Sequence, residues 1–441
     1  MLRALYNGTL FLLAPAVVLR LLWRSRRLPA YRRRIRERFG RGPRLQDEAP
    51  LWVHAVSVGE VQAARPLIER LRREHPGLPV LVTTTTPTGA EQVQRLFGDT
   101  LVHRYLPYDL PFAVARFLDE VRPRLALVME TELWPNLFRA CRERGIPLLL
   151  ANARLSQRSW RRYRRWFRRL AAEMLDDAAG IAVQTAEDRE RFLHLGAAPE
   201  KVRVCGNTKF DLEVPASLRE QAEAIRAQWG PGRPVLLAAS THAGEEAIVL
   251  EAHRAIRERF PRALLVLVPR HPERFDEVAE RVRQAGWTYV RRTSGEAVTP
   301  ETAVYLADTM GELQLLYGTA DVAFLGGSLV PAGGHNPLEA AALGIPILHG
   351  PHMENAEHVR RLLAAAGAGQ EVTDAGSLAH AVIGLFADPA ERARRGERAA
   401  AMVAANRGAR DCVFAYLQAL LAAPGGHGGE RHSSLRAGTP A

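Results

Sequence analysis

The stretch GGSLVPAGGHNPLEAAALGIPIL, residues 326–348, decides the fold. The apolar residues VAFL before it predict a strand, and its paired glycines predict a tight turn, because glycine adopts positive φ without steric cost. A helix is expected to begin at Asn336 and Pro337, since Asn favours the N-cap and Pro the first helical position. Backbone N–H groups at such a helix start bind anions, and Glu339 offers an acceptor for ribose hydroxyls. The stretch therefore predicts a nucleotide cradle, although a turn that needs glycine only for its backbone angles gives the same pattern.

Strand and helix patterns alternate on both sides of this stretch. Apolar runs that predict strands begin at Leu51, Val80, Leu101, Leu125, Pro147, Gly180 and Val202, and then at Val235, Ala263, Thr288, Ala303, Val322 and Pro346. Amphipathic segments such as VQAARPLIERLRRE and LFRACRERG predict helices between most of them. Alternation of this kind is typical of parallel sheets with helices on both faces, so two Rossmann-like domains are predicted.

A looser segment that ends in WGPGRP separates the two series of strands and predicts the domain boundary. The predicted organisation is a membrane anchor at 1–23, a basic linker at 24–50, an N-terminal Rossmann-like acceptor domain at 51–211, an interdomain linker at 212–233, a C-terminal Rossmann-like nucleotide-binding domain at 234–421 and a disordered tail at 422–441. Ligands of doubly wound sheets bind beyond the carboxyl ends of the strands. We therefore expect a site in a cleft between the two domains.

The composition is that of a globular protein with a formal net charge of +12, and arginine supplies almost all of the positive charge. The only lysines are Lys201 and Lys209. The three cysteines, Cys141, Cys205 and Cys412, show no CxxC spacing. Neither a disulfide nor a zinc site is predicted from them, and a reducing compartment is expected.

An apolar N-terminal segment followed by arginines predicts contact with a membrane. Residues 4–19 are mostly apolar, and arginine-rich runs begin at Arg24 and again at Arg158. The segment is short for a span, which needs about 17–25 residues, and the heavier charge after it argues against a cleaved signal peptide. The positive-inside rule keeps the domains cytoplasmic, whether the segment spans or lies flat. Nucleic acid is not an expected partner, because no recognised reader motif accompanies the arginines.

The motif SVGE, residues 57–60, supplies a candidate general base. Glu60 follows the first predicted strand and stands at the start of the next helix, where the helix dipole is expected to keep its carboxylate ionised. Gly59 is expected to permit the turn, and helix capping is the alternative role of Glu60. His54 is a rival base, but a histidine inside an apolar strand is more often a core residue.

The motif METELWPN places Glu130 and Glu132 two residues apart at the end of the fourth strand. Paired carboxylates orient an acceptor or shift each other's pKa. Lys209, in GNTKFD, is a candidate cation near the domain junction unless it is an ordinary surface lysine. Neither a DxD spacing nor a histidine cluster is visible, so no metal ion is predicted at the site.

The second series of strands carries the candidate nucleotide contacts. Arg270 follows the strand in LVPRHPE and suits a phosphate clamp. Met310, Gly311 and Glu312 follow another strand and are expected to form a pocket for a base and its ribose. His271 either faces the ligand or makes a local turn contact.

Seven motifs in this order resemble the 3-deoxy-D-manno-oct-2-ulosonic acid (Kdo) transferases of lipopolysaccharide assembly. The motifs are SVGE, METELWPN, NARLS, GNTKFD, PRHPERF, ADTMGELQLLY and GGHNPLEAA, and the resemblance extends from the N-terminal anchor to about Arg410. It implies a GT-B glycosyltransferase fold, with two Rossmann-like domains facing an interdomain cleft. It also implies a cofactor-free, inverting transfer of Kdo from CMP-Kdo to a lipid A precursor (lipid IVA) at the cytoplasmic face of the inner membrane.

The resemblance further implies a role for each matching position. Glu60 would be the general base, and Glu130 and Lys209 would stabilise the transition state. The residues that would bind CMP are Pro269, Arg270, Met310, Gly311, Glu312, Asn336, Pro337, Leu338 and Glu339.

Two alternatives stay open from the residues. A UDP-sugar-dependent GT-B glycosyltransferase or epimerase uses the same cradle but must hold a diphosphate. A basic, non-enzymatic scaffold would dock on anionic membrane or nucleic acid, with binding that weakens as salt rises. Competition between CMP and UDP separates the first alternative, and dependence on Glu60 separates the second.

Overall fold

The structure is a computed structural model that describes residues 2–27, 29–43 and 49–423. Residues 44–48 of the predicted basic linker and residues 424–441 of the predicted tail lie outside the described residues. The described strands are β1 (Leu51–His54), β2 (Val80–Thr84), β3 (Val102–Tyr105), β4 (Leu125–Met129), β5 (Leu148–Ala153), β6 (Gly180–Val183), β7 (Val202–Val204), β8 (Val235–Thr241), β9 (Leu264–Pro269), β10 (Tyr289–Arg291), β11 (Val304–Leu306), β12 (Val322–Leu325), β13 (Ile347–His349) and β14 (Gly369–Glu371). The thirteen predicted strands are confirmed, and β14 is an addition.

Helices connect most of these strands, as the alternation predicts. The described α-helices are α1 (Leu2–Arg27), α2 (Val58–Glu74), α3 (Pro87–Phe97), α4 (Pro111–Val121), α5 (Pro135–Glu143), α6 (Gln157–Trp166), α7 (Arg168–Asp177), α8 (Ala186–His194), α9 (Ala216–Trp229), α10 (Glu245–Arg259), α11 (Phe275–Gln284), α12 (Leu313–Gly318), α13 (Leu338–Ala342), α14 (Glu357–Ala365), α15 (Ala375–Ala387), α16 (Pro389–Ala405) and α17 (Ala409–Ala422).

The strands form two seven-stranded parallel sheets. The first has the order β3-β2-β1-β4-β5-β6-β7 and the second the order β10-β11-β9-β8-β12-β13-β14. The strand order reverses between β1 and β4 in the first sheet and between β8 and β12 in the second, where β10 and β11 are also exchanged at the edge. Ligands of doubly wound sheets bind at the carboxyl edge where the strand order reverses, so the topology predicts a ligand site beside β1 and β4 and beside β8 and β12.

Both sheets are covered on both faces, which explains why their strands read as continuous apolar runs. Every residue of β1, β4, β8 and β9 is buried. Alternate residues of a strand belong to different cores: Trp52 packs edge-on against Phe117 of α4, whereas Leu51 and Val53 join the core on the opposite face. Full burial of one such side chain stabilises the fold by about 1.5–3 kcal/mol, so the central strands form a rigid support for the loops at their ends.

Contacts divide the chain into two compact units. The first unit contains residues 1–208 and 408–441, and the second contains residues 209–407. The predicted boundary lies at 212–233, but this segment carries α9, which packs with the second unit through α12. Helix α17, predicted as part of the second domain, returns to the first unit and buries Val413, Phe414 and Leu417 there.

The return of α17 creates a disulfide between Cys205 and Cys412, whose Cα atoms lie 5.3 Å apart. The prediction that the cysteines form no disulfide was wrong. These two residues are separated by 207 positions, and only the return of the chain brings them together. Cys141 is a buried free thiol, and burial raises its pKa to about 12.

Helix α1 packs along the first unit through one face. The segment Leu2–Trp23 is long and apolar enough to cross a membrane. Its mean hydropathy is 1.6, and 6% of this apolar stretch is buried. Its first turns are nevertheless bound: the Tyr6 hydroxyl donates to Asp109 at 3.0 Å, and Asn136 donates to the Asn7 side chain at 2.7 Å. The N-terminal end of this helix is therefore held against the first unit.

Candidate functional site

Glu60 lies where the first sheet reverses its strand order. It occupies the first turn of α2, directly after β1 and the loop that follows it. Its carboxylate turns back along the loop and accepts hydrogen bonds from the Val56 N–H at 2.8 Å and the Ser57 hydroxyl at 3.2 Å. The capping role and the candidate catalytic role thus coincide in one side chain, which is held in a fixed position.

Burial raises the pKa of Glu60 to about 7. The hydrogen bond from Val56 opposes this shift, and the nearby carboxylates of Glu130 and Glu132 add to it. The expectation that the helix dipole keeps Glu60 fully ionised was therefore wrong, because desolvation and two negative neighbours outweigh a dipole effect. A carboxylate with a pKa near neutrality is well matched to taking up a proton at physiological pH.

Glu130 and Glu132 follow β4, which pairs directly with β1. Glu130 has a φ of +57°, a left-handed conformation that non-glycine residues seldom adopt, and its N–H donates to Ala151 at 2.8 Å. The chain thus leaves the strand at Glu130. Burial raises the pKa of Glu132, while the indole N–H of Trp134, which donates to it at 2.9 Å, opposes the rise. Backbone strain at a polar residue marks functional loops.

Lys209 lies on the short 3₁₀ turn Thr208–Phe210, next to a buried anchor. The anchor is Asn152, in the NARLS motif, which is fully buried at φ +55° and accepts a hydrogen bond from the Thr208 N–H at 3.1 Å. The pairing of β5 with β6 shifts register between Leu150 and Ala153, and this irregularity turns Asn152 out of the regular ladder. The NARLS motif is thereby hydrogen-bonded to Thr208, the last residue of the first unit before Lys209.

His54 is a core residue, as the pattern of its strand favours. It is fully buried, and its Nδ1 lies 2.9 Å from Oγ1 and 3.1 Å from the carbonyl of Thr83. Burial lowers its pKa to about 4, so the imidazole is neutral at pH 7.

Gly59 is not needed for the turn. It lies within the first turn of α2, has no positive φ, and a Cβ built on it meets no atom within 4 Å. The expected backbone role was therefore wrong. The glycine leaves open space beside Glu60.

The glycine-rich loop after β12 is organised by Glu245, a residue whose role the sequence did not reveal. Glu245 is fully buried at the start of α10, and its carboxylate accepts four backbone N–H groups: His242 at 2.9 Å, Gly327 at 2.6 Å, Ser328 at 3.0 Å and Leu329 at 2.9 Å. The N–H groups of residues 327–329 are therefore not available to a ligand anion.

Close packing explains the first glycine of this loop. A Cβ at Gly326 would lie 2.4 Å from the Ser240 carbonyl oxygen. Only glycine permits the loop after β12 to approach the end of β8 this closely. The glycine and Glu245 together fix the carboxyl edge of the second sheet where its strand order reverses.

The helix predicted at Asn336 begins two residues later. Helix α13 spans Leu338–Ala342, with Pro337 before it in αR conformation, and the Asn336 side chain accepts from the Leu338 N–H at 3.3 Å. This helix has only five residues, so its dipole would contribute little to anion binding at the predicted cradle. Burial raises the pKa of Glu339, and no hydrogen-bond donor to its carboxylate is found in the described part of the chain.

Three histidines meet at the carboxyl edge of the second sheet, although no histidine cluster was expected. His242 follows β8, His271 follows β9, and His335 lies in the loop after β12. The His242 and His335 rings stack at 16° with their Nε2 atoms 2.9 Å apart, and His271 lies edge-on to His242 with ring centroids 5.3 Å apart. The sequence feature that could have revealed this cluster is that each histidine follows one of three strands, which the structure shows to be neighbours.

Arg270 is exposed at the end of β9 beside this cluster. Within the described ranges its guanidinium has no hydrogen bond or ion pair to the protein, and its charge lowers the pKa values of His242 and His335. The residue before it, Pro269, pairs with Thr241 at the end of β8. Arg270 is thus an available cation on a fixed backbone.

Met310, Gly311 and Glu312 form a loop between β11 and α12. Met310 is 56% exposed and Gly311 has a φ of +91°. The Glu312 carboxylate is already engaged by Arg292, at 2.9 and 3.2 Å, and by the Thr309 hydroxyl, and the hydrogen bond from Arg292 lowers its pKa. Glu312 therefore fixes the loop, while Met310 and Gly311 offer surface.

The site residues thus fall into two groups, one in each unit. Glu60, Glu130 and Glu132 influence one another electrostatically in the first unit, and Arg270 and the histidines do so in the second. Across residues 2–27, 29–43 and 49–423, no group of three or more His, Cys, Asp or Glu side chains is arranged to hold a metal ion.

Comparison with known proteins places these residues in a family. Residues 33–212 match the family described as 3-Deoxy-D-manno-octulosonic-acid transferase (kdotransferase). A 3-deoxy-D-manno-octulosonic acid transferase of Haemophilus influenzae is 42% identical over 410 residues, which cover 92% of this chain and 96% of the relative. The transferase of the same name from Bordetella pertussis is 41% identical over 422 residues, with the same two coverages.

A solved structure supports the fold. A glycosyltransferase from Rickettsia africae superposes with a TM-score of 0.54, covers 85% of this chain and 98% of its own, and is 13% identical. This likeness bears on fold alone and confirms the predicted GT-B type. Identity above 40% along nearly the whole length of two relatives shows that the chain belongs to the family of 3-deoxy-D-manno-octulosonic acid (Kdo) transferases.

Proposed function

We propose that this protein transfers Kdo from CMP-Kdo to a lipid A precursor, lipid IVA, with inversion at the anomeric carbon. The single observation that carries the proposal is Glu60, a fixed carboxylate with a pKa of about 7 where the first sheet reverses its strand order. Family membership indicates the reaction, and Glu60 adds a side chain that is suited to general-base catalysis.

In the proposed reaction, Glu60 removes the proton from a hydroxyl of the acceptor sugar. The hydroxyl oxygen forms a bond to the anomeric carbon of Kdo as the bond from that carbon to the phosphate oxygen breaks, and CMP leaves with the electron pair. Glu130 faces positive charge that develops on the sugar ring, and Lys209 stabilises negative charge. The strained backbone of Glu130 and the buried Asn152 anchor next to Lys209 support these two assignments.

The nucleotide is proposed to bind the second unit. Arg270 would pair with the phosphate. Met310 and Gly311 would contact the cytosine, and Glu339 would accept hydrogen bonds from the ribose hydroxyls. Pro269, Glu312, Pro337 and Leu338 would shape this surface through the backbone, and Asn336 would add an exposed amide. The Glu339 carboxylate accepts no hydrogen bond from the described residues, and burial raises its pKa. This supports the role, because ribose hydroxyls that donate to the carboxylate would stabilise its ionised form.

Arg270→Ala is expected to weaken CMP binding by about 10- to 100-fold, because a charge-assisted hydrogen bond contributes about 1.5–3 kcal/mol. Thermal stability should not change, since the guanidinium is exposed. Isothermal titration calorimetry with CMP measures the effect, and Arg259→Ala, an exposed arginine at the end of α10, is the matched control. Unchanged CMP affinity would remove Arg270 from the nucleotide site.

We propose that α1 attaches the protein to the inner membrane by lying in its cytoplasmic surface. The face of α1 that points away from the first unit exposes large apolar side chains, among them Leu5 at 69%, Leu12 at 80% and Leu19 at 66%. Its N-terminal residues are hydrogen-bonded to Asp109 and Asn136, which supports a flat helix over one whose N-terminus crosses to the far side. Partial insertion of one apolar face is typical of interfacial anchors.

The exposed helix α6 also supports attachment to a membrane. Its tryptophan Trp166 is 68% exposed, and Phe167 after it is 48% exposed. Arginines interleave with them at positions 158, 161, 162, 164, 165, 168 and 169, and no carboxylate in the described portion of the chain lies within ion-pair distance of these arginines. Unpaired arginine beside aromatic rings suits an anionic lipid surface and a phosphorylated lipid acceptor.

A tag placed before Leu2 reports the orientation of α1. We expect protease to remove this tag from inverted inner-membrane vesicles and to leave it intact in spheroplasts, because a flat helix keeps its N-terminus cytoplasmic. A C-terminal tag serves as the control for vesicle sidedness. Cleavage of the N-terminal tag only in spheroplasts would show that α1 spans the membrane.

The reaction itself is tested by mass spectrometry of lipid IVA after incubation with freshly generated CMP-Kdo. We expect the lipid to gain the mass of one or more Kdo residues with the intact protein and not with Glu60→Gln. Glu69→Gln, an exposed carboxylate on the same helix, is the matched control. Donor use that UDP inhibits and CMP does not would favour a UDP-sugar enzyme instead.

A further inference from the structure

The histidine cluster at the edge of the second sheet is not used by the proposed reaction. His242 and His335 are joined through their Nε2 atoms at 2.9 Å, so one ring donates this hydrogen bond and the other accepts it. Two neutral imidazoles joined in this way have one Nδ1 that carries a proton and one that does not. One added proton makes both Nδ1 atoms donors and gives the pair a positive charge.

The surroundings favour the neutral form of the pair. Burial lowers the pKa of His335 to about 4, and His242, Arg270 and His271 lower it further. Burial also lowers the pKa of His242; Glu245 opposes this shift, whereas His271, Arg270 and Arg274 reinforce it. Carboxylates lie beside two of these neighbours: Arg274 pairs with Glu246 at 2.7 Å, and the His271 Nδ1 lies 3.8 Å from the Glu273 carboxylate.

The backbone is built to hold the pair. Glu245 binds the N–H of His242 and the N–H of Gly327, which ties the two loops together. A Cβ at Gly327, where φ is +69°, would lie 3.3 Å from both imidazole rings. The positive φ and this close contact favour glycine where the two rings stack. The exposed Arg270 follows β9, the strand next to β8.

We propose that His242 and His335 form a proton-binding seat for the phosphate of the nucleotide, which takes up one proton when the phosphate binds and then presents two N–H donors. This inference rests on the proposed function, because it assigns the phosphate end of the same nucleotide site. An arriving dianion favours the charged form of the pair, as an opposite charge within a few ångströms does for any histidine. The protonated pair compensates the negative charge that develops on CMP as it leaves.

Calorimetry tests the proposal directly. CMP is titrated at pH 7.5 in several buffers of different ionisation enthalpy, and the slope of the observed enthalpy gives the number of protons bound. We expect between about half a proton and one proton for the intact protein and almost none for His335→Gln or His242→Gln, with CMP affinity about tenfold lower in each. His380→Gln, an exposed histidine on α15, should behave as the intact protein.

Cytidine, which lacks the phosphate, is the second probe. Its affinity should be the same in all four proteins, without proton uptake. If either variant does not fold, NMR of the intact protein with labelled histidine rings replaces it, and CMP should move two ring signals towards imidazolium positions. CMP binding without proton uptake, or uptake that persists in both variants, overturns the histidine seat alone. Absence of CMP binding to the intact protein overturns the proposed nucleotide site as well.

Discussion

Glu60→Gln is expected to lower the turnover of Kdo transfer by about 10³-fold, because a positioned general base contributes about 10²–10⁴-fold. The glutamine keeps an oxygen that accepts from the Val56 N–H, so the loop after β1 should retain its conformation. CMP affinity should stay within a few fold, since the proposed nucleotide contacts belong to the other unit. Steady-state kinetics and CMP calorimetry on the same preparation measure both quantities.

The pH dependence gives an independent test of this role. The pKa of Glu60 is raised to about 7, so its reactive, ionised form is lost as pH falls through that value. We expect kcat/KM, which reports the pKa of the free enzyme's base, to decrease about tenfold per pH unit below pH 7 and to level off above it. Glu69→Gln should keep this profile. A flat profile, or turnover near that of the intact protein in Glu60→Gln, would assign the base to another residue.

Glu245→Ala is expected to destabilise the second unit by about 3–5 kcal/mol and to abolish CMP binding. Four backbone N–H groups lose their acceptor, and each buried donor without a partner costs about 1–3 kcal/mol, although such costs do not add fully. The loop at residues 327–329 and His242 depend on this carboxylate, so the nucleotide site loses its backbone together with the stability. Urea unfolding followed by circular dichroism, together with CMP calorimetry, measures the loss.

The amide variant makes the Glu245 prediction more specific. Glu245→Gln keeps one oxygen but turns an NH₂ group towards donors, so we expect it to lose more than half as much stability as the alanine variant. Glu251→Gln, an exposed residue of the same helix, should leave stability and CMP binding unchanged. A Glu245→Gln protein as stable as the intact one would show that the four hydrogen bonds contribute little.

The sequence predicted much of the site because strand ends are visible in it. Glu60, Glu130, Arg270 and Met310 all follow apolar runs in the sequence, and the structure places each one after a strand of a parallel sheet. Their roles in catalysis and binding stay predictions. Residues whose partners are distant in the sequence were missed: Glu245 accepts N–H groups from residues 327–329, and His242 and His335 lie 93 positions apart.

Several local expectations failed for a common reason. A helix start at Glu60 predicted an ionised carboxylate, but burial and the charges of two residues from a neighbouring strand set its pKa. Gly59 and the glycines after β12 looked alike in the sequence, yet a Cβ has open space at Gly59 and meets backbone atoms at Gly326. The cysteines looked unpaired because they show no short spacing, whereas Cys205 and Cys412 pair across 207 positions.

The sequence by itself determined the alternation of strands and helices, the two parallel sheets and the positions of the polar loops at their carboxyl edges. These features follow from hydrophobic period and turn residues, which act over a few neighbouring positions. Only the tertiary structure decided the protonation of Glu60, the four hydrogen bonds of Glu245, the histidine pair and the Cys205–Cys412 disulfide. Desolvation, charge pairing and close packing depend on atoms from distant parts of the chain, and folding alone brings those atoms together.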